Sequence, residues 1–221
     1  IEGILEKEAI ELNKRFFTFH QKKRPYIILK WAQTNDGFIA KKDFGRIAIS
    51  NEYTNRLVHE LRSQEAAILV GTNTALQDNP SLNTRLWPGK NPLRIIIDKQ
   101  LRMPSTSNVF NDGAPVIILN NSKEEIQGTV YFRKVESSEN MNSHLMKYLY
   151  ENNINSLIVE GGAVLLQSFI DEGLYDEAIV ITNTILNIGE GIAAPILTNA
   201  SPVSSRNIFS DHLQFNRNSS Q

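Results

Sequence analysis

The chain has 221 residues, and its apolar content of 41% is ordinary for a globular protein. Its formal net charge of −1 gives no reason to expect nucleic acid as a partner. It has no cysteine, which excludes disulfides, thiolate metal sites and a cysteine nucleophile. The four histidines lack metal-ligand spacing, so no metal is expected. No apolar run approaches the roughly 20 residues of a membrane span and no signal peptide is visible, so we expect no membrane partner and a cytoplasmic location.

The first fifth of the chain predicts a helix and then a β-rich segment. Residues 4–19 carry apolar side chains at helical spacing, which predicts an amphipathic helix that packs on the body of the protein. These side chains are Ile4, Leu5, Leu12, Phe16 and Phe19. A strand is predicted at about 26–32, a turn at 35–37 and a short strand at 38–40. Residues 41–49 turn from polar to apolar, which predicts a loop and then another short strand.

Short apolar strands then alternate with helices. The predicted elements are a helix over 50–64, a strand over 67–70, a short helix after Gly71, strands within 92–104, 114–121 and 129–135, a helix over 141–154, a strand before Glu160, a helix from about Ala163 and a long strand within 174–187. The alternation predicts an α/β sheet with a parallel centre. The last strands lack intervening helices, so an antiparallel edge is expected. The final segment is weakly patterned, and we expect one domain over residues 1–221.

Ligands of open α/β sheets bind at the carboxyl ends of the strands, and four segments qualify: 32–37, 71–74, 98–99 and 160–163. The last of these has the clearest chemistry. Gly161 and Gly162 let a ligand approach the backbone, and unpaired N–H groups at the start of the next helix favour a phosphate. Gly71 and Thr74 repeat this arrangement. A tight turn and a helix cap are the alternative interpretations, and the G-x-G-x-x-G fingerprint is missing.

Four charged residues are further candidates. Arg85 and Arg62 have the guanidinium geometry that matches phosphate oxygens, although each is also compatible with a surface charge. Asp78 lies in an Asp-Asn-Pro segment that is also typical of a turn. Lys30 interrupts an apolar strand, so it points either to solvent or into a site.

Taken together, the motifs resemble the reductase half of the bacterial bifunctional riboflavin-biosynthesis deaminase/reductases. The resemblance covers nearly the whole chain. It is carried, in order, by the segments "EKEAIELNKRFF", "LKWAQTNDGFIA", "ISNEYTNRLVHELRS", "AILVGTNTALQDNPSLNTR", "RIIID" and "IVEGGAVLLQSFIDEGLYDE". Residues 1–22 resemble the segment that follows the deaminase half. The chain opens on Ile1 and carries no zinc-deaminase signature, so we expect a fragment without that half.

The resemblance implies a dihydrofolate-reductase-like three-layer α/β/α fold, NADPH as the reductant and a homodimer. The cofactor positions that it implies, together with the diglycine and Gly71 candidates above, are Ala32, Gly71, Thr74, Asp78, Lys99, Gly161, Gly162, Ala163, Val164, Leu165, Leu166, Gln167 and Ser168. The substrate positions are Arg46, Arg62, Leu82, Arg85 and Glu160. Two places depart from the family pattern: Arg46 and Ala48 stand where many relatives carry Ser-x-Trp, and Lys99 stands where some carry a small hydroxyl residue. Lys99 would suit the 2′-phosphate of the cofactor.

The implied activity is NADPH-dependent reduction of 5-amino-6-(5-phosphoribosylamino)uracil, with hydride delivered to C1′ of the ribosylamine. The candidate catalytic residues are Asp78, Glu160 and Lys30. Two alternatives remain open at this point. One is a dihydrofolate-reductase-like enzyme with another substrate, which two phosphate-ready arginines disfavour because a pterin brings no phosphate. The other is a non-catalytic nucleotide-binding module.

Overall fold

A ten-stranded sheet runs through the protein in the computed structural model, which describes residues 3–43, 45 and 47–220. The strands are β1 (Tyr26–Thr34), β2 (Phe38–Ala40), β3 (Ala67–Gly71), β4 (Leu93–Ile97), β5 (Val116–Asn120), β6 (Glu125–Gln127), β7 (Val130–Lys134), β8 (Ser156–Val159), β9 (Glu177–Asn183), β10 (Ile192–Ala193), β11 (Ala200–Ile208) and β12 (Asp211–Asn218). The α-helices are α1 (Glu6–Leu12), α2 (Lys14–Lys22), α3 (Glu52–Gln64), α4 (Thr72–Asp78), α5 (Met141–Glu151) and α6 (Ala163–Asp171). A single 3-10 turn covers Asn108–Phe110.

The main sheet has the order β11-β12-β9-β1-β8-β3-β4-β5-β7-β6, and β2 pairs with β10 in a separate two-stranded sheet. All pairs from β9 across to β7 are parallel. The pairs that involve β11, β12 and β6 are antiparallel. The predicted mixed sheet with a parallel centre and antiparallel edges is therefore confirmed.

Helices cover both faces of this sheet because alternate residues of its buried strands point to opposite sides. On one face, Ile27 belongs to a core cluster with Leu145 of α5 and Phe169 of α6. On the other face, Ile28 belongs to a second cluster with Val58 of α3. The predicted three-layer α/β/α arrangement is confirmed by these two clusters.

A buried ion pair fixes the start of β1. Arg24 donates to the two carboxylate oxygens of Asp176 at 2.6 and 2.9 Å, and the backbone N–H of Ile27 donates to the same carboxylate at 2.8 Å. A buried carboxylate is tolerated when charged and neutral donors satisfy its oxygens in this way. The strand that carries Lys30 is thus anchored to the segment that leads into β9.

The N-terminal segment differs from the single helix predicted over 4–19. Asn13 separates α1 from α2, and its side-chain amide donates to the Ala9 carbonyl. Such local bonds from an asparagine side chain to the backbone compete with the hydrogen bonds of a continuous helix. Only α2 has buried side chains, at Thr18 and Phe19. The predicted packing is wrong for the residues that stay exposed, which are Ile4, Leu5, Leu12 and Phe16.

One further prediction needs correction, and some strands were not predicted. Residues 47–49 form no strand, and residues 44 and 46 lie outside the described residues. The weakly patterned end of the chain forms the β11–β12 hairpin, whose two-residue turn places Phe209 at φ 52°. The short strands β6 and β10 have no sequence prediction.

Within the described ranges, every helix is too short or too polar to cross a bilayer.

Candidate active site

A cavity of about 1870 Å³ opens at the carboxyl ends of the parallel strands. Ala32 of β1, Gly71 of β3, Ile97 of β4 and Glu160 after β8 all line it. This is where open α/β sheets bind their ligands. Its volume of about 1870 Å³ exceeds the roughly 300–1,000 Å³ of a typical small-molecule pocket, so it has room for more than one small molecule.

Most residues that the sequence singles out meet in this cavity. Those that line it are Lys30, Ala32, Arg62, Gly71, Thr74, Asp78, Leu82, Arg85, Lys99, Glu160, Gly161, Gly162, Ala163, Val164, Leu165, Leu166 and Ser168. Gln167 does not line it, because its side chain bonds Asp171 and the backbone of Ile196. Leu166 is fully buried in the core, and its N–H donates to the Gly162 carbonyl at 3.0 Å, so it has no free donor for a ligand. Arg46 lies outside the described residues.

The pleat of the sheet brings Lys30 and Glu160 to the same place. Strands β1 and β8 are parallel, with Ile28 opposite Ile158, so two residues further on Lys30 lies beside Glu160. Ile28 and Ile158 face the cluster packed by α3, and side chains two apart in a strand share a face. Both charged side chains therefore point toward α3, which carries Arg62.

Glu160 is held by two cations. Arg62 donates from Nε to Oε1 at 2.6 Å and from Nη2 to Oε2 at 2.8 Å, while Lys30 Nζ lies 3.2 Å from Oε2. Arg62 also donates from Nη1 to the Asn83 carbonyl at 3.2 Å. Most donors of Arg62 are thus committed inside the protein. Arg85, by contrast, is exposed, and among the described residues it bonds only the Asn83 side chain, at 3.2 Å. The geometry favours Arg85 over Arg62 as a phosphate ligand.

The electrostatics of this network fix the ionisation of Glu160. Burial alone would raise the pKa of the Glu160 carboxyl, but the charges and hydrogen bonds of Arg62 and Lys30 outweigh burial and hold this pKa well below its usual range. Burial lowers the pKa of Arg62, but the charge and hydrogen bonds of Glu160 raise it, and the net result is a raised pKa. The floor of the cavity therefore carries one carboxylate and two cations. Within residues 3–43, 45 and 47–220, no His, Asp and Glu cluster is arranged to hold a metal ion.

The turn after Glu160 forms a cradle of backbone that lines the cavity. Gly161 has φ +131°, a conformation that side chains rarely adopt, and its carbonyl accepts a 2.9 Å bond from the N–H of Gly71. A Cβ at Gly162 would lie 3.1 Å from Thr74 Oγ1. Helix α6 begins immediately afterwards with no side-chain cap, and α4 begins after Gly71 in the same way. Two uncapped helix starts therefore face one cavity.

Basic groups lie beside this cradle at the end of β4. Lys99 and Arg102 line the cavity, and Arg102 donates to the side chain of Asn73 at 3.0 Å. Asp98 does not line the cavity; it is buried and accepts a 2.9 Å bond from the N–H of Met103, which holds the loop in place.

The sequence interpretation missed the part of the site that α3 supplies. Asn55, Val58 and His59 line the cavity together with Arg62. They precede Arg62 by seven, four and three positions, a spacing that places them on the same face of the helix. The helical spacing from Arg62 was the signal that would have identified them.

Comparison with known proteins agrees with this architecture. A sequence model of the RibD C-terminal domain matches residues 25–218. The riboflavin biosynthesis protein RibD of Aquifex aeolicus is 37% identical over 197 residues, which cover 86% of this chain and 55% of that protein. The 2,5-diamino-6-ribosylamino-4(3H)-pyrimidinone 5′-phosphate reductase of Methanothermobacter thermautotrophicus is 38% identical over 163 residues, covering 70% and 75%.

Solved structures give the same result. The deaminase and 5-amino-6-(5-phosphoribosylamino)uracil reductase of Thermotoga maritima superposes with a TM-score of 0.88 at 32% identity, covering 99% of this chain and 63% of that one. Dihydrofolate reductase from Enterococcus faecalis superposes with a TM-score of 0.55 at 12% identity, covering 87% and 95%, which shows the fold alone.

The fold and the cavity at its strand ends define an α/β domain of the dihydrofolate-reductase type. Within that class, the chain belongs to the RibD C-terminal domain family. The predicted family and fold are thereby confirmed. The chain spans about half the length of the curated RibD relatives that it matches.

The Glu160 network makes a prediction about stability. Because the folded-state pKa of Glu160 lies below its unfolded value near 4.5, its charge stabilises the fold above that pH, and this contribution is lost as the pH falls toward the folded-state pKa. We expect Glu160→Gln, which leaves Arg62 and Lys30 without their anion, to lower the free energy of unfolding by roughly 3 kcal/mol at pH 7. The difference in the free energy of unfolding between wild type and Glu160→Gln, measured by urea unfolding, should be smaller at pH 4 than at pH 7.

A matched control is Glu190→Gln, since Glu190 forms an exposed pair with Lys42 and should change stability by less than about 0.5 kcal/mol. Equal stability of wild type and Glu160→Gln at pH 7, or a difference that grows toward pH 4, would contradict this assignment.

Proposed function

We propose that this chain is the reductase that uses NADPH to reduce the ribosylamine of 5-amino-6-(5-phosphoribosylamino)uracil to the ribitylamine. One observation carries the proposal: a single strand end presents the Glu160 carboxylate with two cations to one part of the cavity, and a cradle of backbone N–H groups to another. The names of the relatives support the substrate class, since they include phosphorylated ribosylaminopyrimidine reductases.

The residues around the cradle fit a dinucleotide. A pyrophosphate is a dianion that needs close backbone approach and unpaired N–H groups, and the diglycine turn and the first turn of α6 offer both. We assign the 2′-phosphate to Lys99 and Arg102, whose charges would favour NADPH over NADH. When bound, the nicotinamide supplies the hydride.

The remaining charged groups fit the other substrate. Arg85 is exposed and largely uncommitted, so it is free to hold the 5′-phosphate. Glu160 is ionised and rigidly held, so it offers a fixed acceptor to polar groups of the pyrimidine or sugar. Leu82 is buried and also lines the cavity, where it would give an apolar surface for the ring.

Each side chain then has a role in positioning and proton transfer. Lys30 Nζ, 3.2 Å from Glu160, would place a proton near the sugar oxygen that is released when the ribose ring opens. Asp78 lines the cavity at the end of α4 and would orient the sugar. Ile39, Ile47 and Ile49 line the cavity and would exclude water from the reacting carbon.

The proposal extends to partners and location. We propose a cytoplasmic homodimer, supported by exposed Val203 and Phe209 on the β11–β12 hairpin at the edge of the sheet. We also propose that the domain works together with a deaminase, because the Thermotoga maritima relative combines both activities by name.

The direct test is NADPH oxidation, followed at 340 nm, with the deaminated phosphoribosylaminouracil supplied. We expect turnover with NADPH and a markedly lower kcat/KM with NADH. The 2,5-diamino pyrimidinone phosphate should be assayed in parallel to define the pyrimidine. Absence of turnover with both pyrimidines, under conditions where NADPH binds, would favour a non-catalytic nucleotide-binding module.

The phosphate assignment makes a separate prediction. We expect Arg85→Ala to raise the KM for the ribosylamine phosphate about tenfold or more while leaving the Kd of NADPH unchanged, because a charged hydrogen bond to phosphate is lost. Arg102→Ala should raise the Kd of NADPH and leave the KM for the ribosylamine phosphate unchanged. Arg56→Ala, an exposed α3 residue away from the cavity, is the control. Equal loss for both ligands in Arg85→Ala would place Arg85 outside the substrate site.

A further inference from the structure

Asp98 is a buried acid at the end of β4 whose role the proposed reaction does not explain. It is 1% exposed, and no salt bridge among the described residues includes it. Its carboxylate accepts a 2.9 Å bond from the N–H of Met103 and lies 3.4 Å from Thr72 Oγ1. The single hydroxyl proton of Thr72 is directed to the Ile97 carbonyl, at 2.7 Å. The N–H of Met103 is therefore the main donor to this carboxylate.

The backbone of Asp98 is fixed to the sheet and begins a tight turn over residues 98–103. Its N–H donates to the Leu119 carbonyl of β5 at 2.9 Å, and its carbonyl accepts a 3.1 Å bond from the N–H of Leu101. Leu101 has φ 54°, which a non-glycine residue rarely adopts. Such a conformation persists only where the surrounding structure holds it. Asp98 supplies two of the bonds that hold this turn.

Arg102 lies between the two residues whose N–H groups bond Asp98. The side chains of these neighbours, Leu101 and Met103, are partly buried against the core cluster on the α3 face. Arg102 is exposed, lines the cavity and donates to the Asn73 side chain in the first turn of α4 at 3.0 Å. The backbone on both sides of Arg102 is thus held by one residue, and its guanidinium lies at the cavity wall.

The other cation of this loop, Lys99, is held by different contacts. Its carbonyl accepts a 3.0 Å bond from the N–H of Asn121, which follows β5. Loss of the Asp98 carboxylate would therefore release the backbone next to Arg102 and leave this bond of Lys99 in place.

We propose that Asp98 is a positioning residue that sets the preference for a cofactor with a 2′-phosphate, because it holds Arg102 at the wall of the cavity. The assignment rests on the proposed function, in which Arg102 helps to bind that phosphate. A long side chain on a fixed backbone loses less conformational entropy on binding than one on a mobile loop. NADH lacks the 2′-phosphate, so its binding gains nothing from this arrangement.

The Kd values of NADPH and NADH, measured by fluorescence titration without substrate, test the proposal. The two molecules differ only in the 2′-phosphate, so the ratio of their Kd values reports the contact with that group. We expect Asp98→Ala to raise the Kd of NADPH about tenfold and to change the Kd of NADH by less than about twofold, because the charged hydrogen bond to phosphate is weakened. A merely structural defect would weaken both cofactors.

Asp98→Asn separates the hydrogen bond from the charge. Its amide oxygen can still accept from the N–H of Met103, and its amide N–H can donate to Thr72 Oγ1. We expect this variant to keep the Kd of NADPH within about threefold of wild type. A loss as large as that of Asp98→Ala would show that the bond to Met103 is not the cause, and would overturn the proposal.

A double variant tests whether Asp98 acts through Arg102. Once Arg102 is replaced by alanine, its position no longer matters, so Asp98→Ala should add less than about twofold to the Kd of NADPH in the Arg102→Ala background. A further tenfold loss in the double variant would overturn the proposal, because Asp98 would then act on another part of the site.

Asp112→Ala is the matched control, since Asp112 holds the far end of the same loop through bonds to Arg94 at 2.8 and 3.1 Å. It should lower the thermal stability and leave the ratio of the two Kd values unchanged. A ratio that falls in Asp112→Ala as it does in Asp98→Ala would overturn the proposal. A wild-type preference for NADPH that survives in Asp98→Ala would overturn this proposal alone, whereas equal Kd values in the wild type would overturn the proposed 2′-phosphate site as well.

Discussion

Glu160 keeps its charge inside the protein because Arg62 and Lys30 reach it from two different elements. Each partner is placed by the fold rather than by local sequence: Lys30 by the register of β1 against β8, and Arg62 by the packing of α3 on the same face of the sheet. The anchoring of β1 through Arg24 and Asp176 maintains that register. Loss of the carboxylate would leave two cations facing each other across the wall of the cavity, so the shape of this wall, on the side of α3, depends on the interaction.

The same strand end also begins the cradle. Because Glu160 is the last residue before the diglycine, its side chain and the following backbone face different parts of one cavity. In the proposed function, the carboxylate would offer a fixed acceptor to one ligand, and the uncapped start of α6 would offer partial positive charge to the other. The two ligands of a hydride transfer must lie in contact, and an adjacent pair of sites on one rigid element provides this without movement of a domain.

Much of this architecture follows from local patterns in the sequence. The alternation of buried strands and helices predicts the parallel centre, and the Gly161-Gly162 turn after an apolar strand marks the cradle. The hairpin at the end of the chain was missed because residues 201–207 of β11 are all exposed and show no apolar alternation, and because its turn uses Phe209 and Ser210 instead of an Asn-Gly or Asp-Gly pair. The break at Asn13 was missed because the apolar spacing continues through it. The pairing of Arg62 with Glu160 was not predictable, because the sequence is equally compatible with Arg62 as a phosphate ligand. Only the packing of α3 shows that its guanidinium points to the carboxylate.

The division of one strand end between two ligands is tested most directly by titrating each ligand separately into Gly162→Ala and Glu160→Gln, after thermal unfolding shows that both variants are folded. A Cβ at Gly162 would project beside Thr74 Oγ1 into the cradle, so Gly162→Ala should weaken NADPH about tenfold and leave the ribosylamine phosphate unaffected. Glu160→Gln should weaken the ribosylamine phosphate and leave NADPH unaffected. If both substitutions weaken the same ligand, or neither weakens either ligand, the account is contradicted and the diglycine is only a tight turn.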